Sequence, residues 1–280
     1  MSFGLAMGAL LHTLFEFYPP KLGGNIYMNT LKGIVMGAPA AVCVNCAVPV
    51  ACGITRGKAN VEAALGFMFS SPTLNFVVVS MVLAGLPWYY GAVQYSLLAL
   101  VLFVMVPLLV HLNNRTANQS TGADTAPVTC SIPLHKECEE SLWDSAKHVA
   151  FEFSKNLFKL IKTAVPLMLI AALASSLAME LVPFKTIFAE VTPLALVGTA
   201  LITVLLPIPI ALDVMTAQQL HAQQVPAPYV MLFLFTLGTY SFLPMSYLWT
   251  EVSKRLAVML YGMFVLLGLV SAYAIQLFVH

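Results

Sequence analysis

Cys43 and Cys46 are the residues of this sequence with the clearest chemistry. On a helix, positions three apart share a face. Two thiols on one face suit a soft metal ion or a metalloid, and they also suit thiol–disulfide exchange. The plainer alternative is packing, since a free cysteine behaves as a small hydrophobe. Asn45 lies between them. The second candidate is Asp213, the most isolated acid, which follows Pro207-Ile-Pro209-Ile-Ala-Leu inside an apolar run. A charge near the bilayer centre costs at least about 2.5 kcal/mol, so an intramembrane acid points to a proton carrier or a cation ligand. A carboxyl in low dielectric favours its neutral form and can trade protons. The alternative for Asp213 is a structural helix cap. Ser70, Ser71, Asn75, Thr236, Thr239 and Ser241 add oxygens that could bind a substrate or satisfy nearby backbone.

These residues gather around interruptions in apolar segments: Gly37, Pro39 and Pro49, then Pro72, then Pro207 and Pro209, then Gly238 and Pro244. Lipid cannot satisfy free backbone N–H and C=O groups, so a break at membrane depth survives only inside protein or beside a watery cavity. Half-helix ends there offer partial charges to a ligand. A lone proline kink would mean little; four interruptions in paired positions point to a site.

The membrane setting follows from composition. Hydrophobic residues make up 60% of the 280 and charged residues 9%, where a soluble domain carries about 25% charged residues. No Asp, Glu, Lys or Arg occurs over 33–55, 63–114, 191–212, 214–250 or 256–280. A transmembrane helix needs about 20 apolar residues. The net charge of +1 and the lack of a basic run exclude nucleic acid as a partner.

The expected fold is all-α and polytopic, with about eight transmembrane helices in two structural repeats with discontinuous helices. The first repeat covers 1–112, with segments at 3–18, 30–55, 60–86 and 90–112. A polar loop covers 113–140 and an amphipathic surface helix 141–160. The second repeat covers 161–280, with segments at 161–182, 192–222, 227–250 and 256–278. The first segment lacks a basic n-region and a cleavage site, so it reads as retained. Laid over each other at an offset of 168, the halves pair Pro39 with Pro207, Asn45 with Asp213, and Ser71 with Thr239. Matching interruptions in duplicated halves are a pointer to a transporter site.

If all eight segments cross, eight basic residues including Arg56, Lys58 and Arg115 share one side, and Lys21, Lys32, Lys185, Lys254 and Arg255 share the other. The positive-inside rule then places both ends of the sequence in the cytoplasm. If one broken segment per half is re-entrant, each half crosses three times and the repeat is inverted.

Other groups weigh less. His12 and Glu16 share a helix face as an interfacial pair. Gln218, Gln219 and His221 read as solvated at a helix end. Cys130, His135 and Cys138 lie in the polar loop with weak metal-ligand spacing, and Cys52 reads as structural. No GxxxxGK[ST] loop is present, so no ATP hydrolysis by that route is expected.

The stretch Gly37-Ala-Pro-Ala-Ala-Val-Cys43-Val-Asn-Cys46-Ala-Val-Pro49, then Gly57, then Ala-Ala-Leu-Gly-Phe-Met-Phe-Ser-Ser-Pro72-Thr-Leu-Asn75 resembles the predicted permeases related to ArsP organoarsenical efflux proteins and YraQ-like proteins. The resemblance covers about residues 34–80 well and the second half in layout. Here two residues separate the thiols where that family often shows Cys-Ser-Cys. The resemblance implies export of a small, soft substrate across a bacterial inner membrane, driven by an ion gradient, with Cys43 and Cys46 as substrate thiols and Ser71-Pro72 shaping the cavity.

The expected function is therefore secondary transport of a soft metal ion, metalloid or related thiophilic species, coupled to protons through Asp213, with no enzyme activity and no cofactor. The expected partners are that small molecule or ion, membrane lipid and a second copy of the chain. One alternative is a membrane thiol oxidoreductase using Cys43 and Cys46, weakened because 161–280 contains no cysteine. Another is a structural subunit of a membrane complex.

Overall fold

The computed structural model describes residues 25–56, 61–117, 190–208 and 211–279, with isolated positions at Leu10 and between 151 and 188. Among them every regular element is helical, as expected. In chain order the helices are α1 (Ile26–Gly37), α2 (Val44–Arg56), α3 (Val61–Thr73), α4 (Phe76–Gly85), α5 (Trp88–Leu100) and α6 (Val106–Ala117), followed by α7 (Pro193–Thr203), α8 (Leu212–Ala222), α9 (Ala227–Thr236), α10 (Phe242–Tyr247), α11 (Lys254–Ala274) and α12 (Gln276–Val279). A wide π turn, Val101–Met105, joins α5 to α6. It precedes Pro107, whose missing N–H removes one ladder bond.

Chain direction follows from which ends touch. Asn29 near the start of α1 meets Glu62 near the start of α3, and Ile34 meets Ser70 further along both. So α1 and α3 run parallel. Val42, just ahead of α2, is bonded to Ser71 near the end of α3, so α2 runs the opposite way. Thus α1 and α2 form a hairpin around residues 38–43. Residues 190–236 are arranged in a similar way. Glu190 ahead of α7 accepts from Tyr229 near the start of α9, and Thr203 at the end of α7 meets Thr236 at the end of α9. With α7 and α9 parallel, and only residues 223–226 joining α8 to α9, α7 and α8 form a second hairpin.

These hairpins bear on the two arrangements left open for 30–55 and 192–222, an interrupted crossing and a re-entrant segment. Each arm has 11 to 13 residues, about 17–20 Å of helix, against a hydrocarbon core of roughly 30 Å. The reversal has a local cause: Ala41 (φ 49°) and Ala211 (φ 68°) adopt the left-handed conformation, which turns the chain at some steric cost for a residue with a Cβ. Hydropathy alone cannot distinguish a chain that enters and returns from one that crosses.

The longer apolar helices are those expected: Trp88–Asn113 and Lys254–Phe278, of 26 and 25 residues, with α3 and α4 forming a pair bent by 43°. Phe76, Leu194 and Leu277 are 85%, 85% and 82% exposed. Lipid is the solvent that tolerates such side chains, so the chain is a membrane protein.

Three of the expected breaks fall elsewhere. Pro49 lies inside α2, Pro72 inside the last turn of α3 and Pro244 inside α10. Helices in membranes accept proline when neighbouring groups satisfy the freed carbonyl. Among the described residues the breaks are 38–43, Leu74–Asn75, 204–208 with Ala211, and 237–241, which include Pro39, Pro207 and Gly238. Gly37 is the last residue of α1, and Pro209 lies outside the described residues. So do His12, Glu16, Cys130, His135 and Cys138, most of the polar loop 113–140, and the amphipathic segment 141–160 apart from isolated positions; helix α6 extends five residues, 113–117, into the expected loop.

Helices α1 and α3 pack backbone to backbone. A Cβ on Gly33 would overlap Ala63 O, one on Gly37 would overlap Ser70 Oγ, and one on Gly66 would lie 2.6 Å from Thr30 O. Gly33 and Gly37 form a small-xxx-small stripe, which lets membrane helices approach closely. Between the halves, α8 packs on α4 and α2 on α10. An aromatic cluster closes the centre: Phe69 of α3 meets Phe264 of α11 edge-on at 5.1 Å, and Tyr240 stacks on Phe264 at 5.4 Å.

Candidate functional site

The first hairpin tip carries the thiols. Cys43 is the last residue before α2, and its Sγ accepts from Cys46 N at 3.2 Å, the role of a helix-capping side chain. The two thiols also hydrogen-bond each other. Neither is in a disulfide, and each is 4% exposed. Asn45 lies in the first turn of α2. Two soft sulfur donors thus sit at a helix N-terminus, on backbone that has just left helical geometry. Among the described residues, no third His, Cys, Asp or Glu joins them as a metal-ligating group.

The tip is pinned to the last turn of α3, just ahead of the bend into α4. Val42 N donates to Ser71 Oγ at 3.0 Å, and Ser71 Oγ donates to Val42 O at 3.2 Å. Ser70 Oγ donates to Phe67 O and to Ile34 O, at 3.3 and 3.4 Å. Asn75 bridges the bend between α3 and α4: its Oδ1 accepts from Val78 N at 2.9 Å, and its Nδ2 donates to Pro72 O at 3.0 Å and Ser71 O at 3.2 Å. Of the two roles the sequence leaves open for these oxygens, the observed bonds serve the backbone.

The second hairpin tip is pinned in the same way. Phe242 N, at the end of the fourth break, donates to Leu205 O in the third at 3.1 Å. Thr236 Oγ1 donates to Leu232 O at 2.7 Å and meets Thr203 Oγ1 at 2.7 Å, while Thr239 Oγ1 donates to Phe235 O at 2.9 Å. Ser241 is buried beside them in the break. Asp213 is the second residue of α8 and is 4% exposed. Its carboxylate packs against Gly238, where an added Cβ would overlap Oδ2.

Structural positions missed in the sequence surround this second tip. Tyr95 of α5 lies within electrostatic reach of Asp213, and its Oη is buried without a hydrogen-bond partner. The neighbouring Gln94 is 2% exposed, and its Oε1 is likewise unpartnered. An amide and a phenol on adjacent positions of a helix without charged residues were the available signal. Gln218 and His221 are not simply solvated: Gln218 Nε2 donates to Met81 O at 2.9 Å, and His221 packs edge-on to Tyr90 at 5.6 Å. Gln219 is exposed as expected, and Cys52 is buried.

The candidate site therefore consists of two hairpin tips, the first bonded to the end of α3 and the second to the start of α10. One presents two thiols and the other a buried acid. Comparison with known proteins points to a permease. A family model described as a predicted permease, ArsP_1, matches residues 21–277. The UPF0718 protein YraQ of Escherichia coli (strain K12) is 28% identical over 150 residues, 53% of this chain and 42% of that protein. The match thus spans less than half the length of that relative. No solved structure matches. The chain belongs to the predicted permease family.

Proposed function

We propose that the protein is a secondary transporter of the bacterial inner membrane that moves a small thiophilic species, a soft metal ion, a metalloid or an organic derivative of one, and that the two hairpin tips enclose its path. The observation that carries this reading is the bonding of each hairpin tip to a helix end beside the next break: Val42 to Ser71 at the end of α3, and Leu205 to Phe242 at the start of α10. Irregular backbone at membrane depth belongs beside a substrate or ion site. Cys43 and Cys46 bind the cargo, with Asn45 beside them. Ser70, Ser71, Asn75, Thr236, Thr239 and Ser241 hold the broken backbone around it. Asp213 couples the movement to protons. Both thiols are buried, so cargo reaches them only when the tips part; alternating movement of one half against the other provides that access.

The hairpins also support an inverted repeat. If both are re-entrant and 3–18 and 161–182 each cross, each half crosses three times. Of the 13 Lys and Arg residues, Lys185 alone then lies on the second side, and the other twelve share the first. With all eight segments crossing, the division is eight to five. The positive-inside rule favours the inverted arrangement. It places the ends of this sequence outside the cytoplasm, the reverse of the first expectation.

A sensitivity screen tests the transport reading. Cells lacking and expressing the protein are challenged with soft metals, metalloids and organoarsenicals. Changed tolerance to at least one, lost with Cys43→Ser/Cys46→Ser, is expected. Equal tolerance to all of them defeats the thiophilic assignment.

A further inference from the structure

Two hydrogen bonds link the halves, and neither has a part in the scheme above. Thr55, next to last in α2, lies through Oγ1 3.0 Å from Tyr247 Oη at the end of α10. Thr55 Oγ1 donates back to its own helix, toward Cys52 O at 3.0 Å and Ala51 O at 3.2 Å, so the phenol is the donor across the gap. In the other pair, Gln218 Nε2 of α8 donates to Met81 O in the later half of α4 at 2.9 Å. The Gln218 amide lies in the space that a side chain on Gly85, one turn further along α4, would need.

The two bonds lie on opposite sides of the breaks. Helix α2 turns back along α3 from the Val42–Ser71 contact, whereas α4 continues beyond the end of α3 with a bend of 43°. The Thr55 end of α2 and the Met81 end of α4 therefore leave the centre in opposite directions. Their partners do the same. Tyr240, just ahead of α10, lies 6.2 Å from Phe69 near the end of α3, so α10 starts beside the start of α2 and ends beside its end. Asp213 opens α8 against Gly238, and Gln218 lies five residues further out. Cys43, Cys46 and Asp213 sit between the two bonds.

We propose that these bonds are the two gates of the permease: Tyr247–Thr55 closes the way to the thiols from one face of the membrane, and Gln218–Met81 closes it from the other. Ser71 pins the start of α2 to α3, and Asn75 bridges α3 to α4, so α2 and α4 move as one body. A tilt about the centre that parts α2 from α10 presses α4 onto α8, and the reverse tilt does the opposite. With both bonds made the molecule is occluded, and each thiol is 4% exposed. A neutral hydrogen bond shifts an equilibrium by about two- to tenfold, enough to bias two arrangements of packed helices and little enough to break in every cycle. The gates rest on the reading of the chain as a transporter with alternating access, and they name the residues that hold each side shut.

Thiol labelling from each face tests this, in the full chain with Cys52→Ala, Cys130→Ser and Cys138→Ser so that Cys43 and Cys46 alone report. A charged, membrane-impermeant maleimide is applied to sealed right-side-out and inverted vesicles. Tyr247→Phe is expected to raise the labelling rate about two- to tenfold from one face, and Gln218→Met by a similar factor from the opposite face. Thr55→Val and Gly85→Ala break the same bonds from the other partner, Gly85→Ala by displacing the Gln218 amide, and replace a first variant that does not insert. Rates that stay unchanged, rise equally from both faces, or rise from the same face for both bonds overturn the gates. No cargo enters the measurement, so its failure is distinguishable from failure of the transport reading in the sensitivity screen.

Discussion

Asp213 and Gly238 touch across the second hairpin: the carboxylate occupies the space that a side chain at 238 would need. The acid enters α8 and the glycine leaves α9, so the contact joins two breaks. Gly238→Ala forces the carboxylate out of its position. Transport is expected to fall at least tenfold while the protein still inserts, measured as uptake in vesicles against quantified protein. Full activity would mean Asp213 has no fixed place in the mechanism.

Asp213→Asn keeps the shape and removes the titrating group. Transport is expected to lose its dependence on an imposed proton gradient, with residual movement down the cargo gradient. Unaltered gradient dependence would remove Asp213 as the coupling residue.

Ser71 holds both backbone groups of Val42. Ser71→Ala leaves a buried N–H and C=O unpaired, a loss of about 1–3 kcal/mol for an unsatisfied group. A lowered melting temperature with the first hairpin more open to thiol alkylation at Cys43 is expected. An alkylation rate equal to wild type would show that the tip is held by other contacts.

Much of this was legible in the sequence, and the reasons are physical. Lipid exposure leaves a strong mark, since 52 successive residues from Ala63 carry no charge. Breaks also leave a mark, because proline removes a ladder hydrogen bond and glycine weakens a helix. Their positions were less legible. Pro49 and Pro72 sit inside helices, while the αL residues that reverse the chain are alanines, which carry no compositional signal. Hairpins were legible only as one of two arrangements, since an arm that returns is as apolar as one that crosses. Glu62 escaped notice because it borders an uncharged run, where a solvated end is the ordinary expectation; only its burial against Asn29 shows otherwise.

Thr55 of α2 and Tyr247 of α10 share a hydroxyl contact of 3.0 Å that ties the two halves together. A double-mutant cycle with Thr55→Val and Tyr247→Phe is expected to give a coupling of about 0.5–1.5 kcal/mol in thermal unfolding. A coupling indistinguishable from zero would mean the halves are held by apolar packing alone.

The inverted arrangement is open to a direct check by reporter fusions. Alkaline phosphatase joined after His280 is expected to be active, and a cytoplasmic fluorescent reporter at the same place dark. The opposite pattern would restore eight crossings.

The central claim is that a thiophilic cargo passes the first hairpin tip by way of Cys43 and Cys46. Uptake of a trivalent organoarsenical into inverted vesicles, compared between wild type and Cys43→Ser/Cys46→Ser at matched insertion, measures this most directly. At least a tenfold loss in the double variant, with an unchanged melting temperature, is the predicted result. Equal uptake by the two proteins would contradict it.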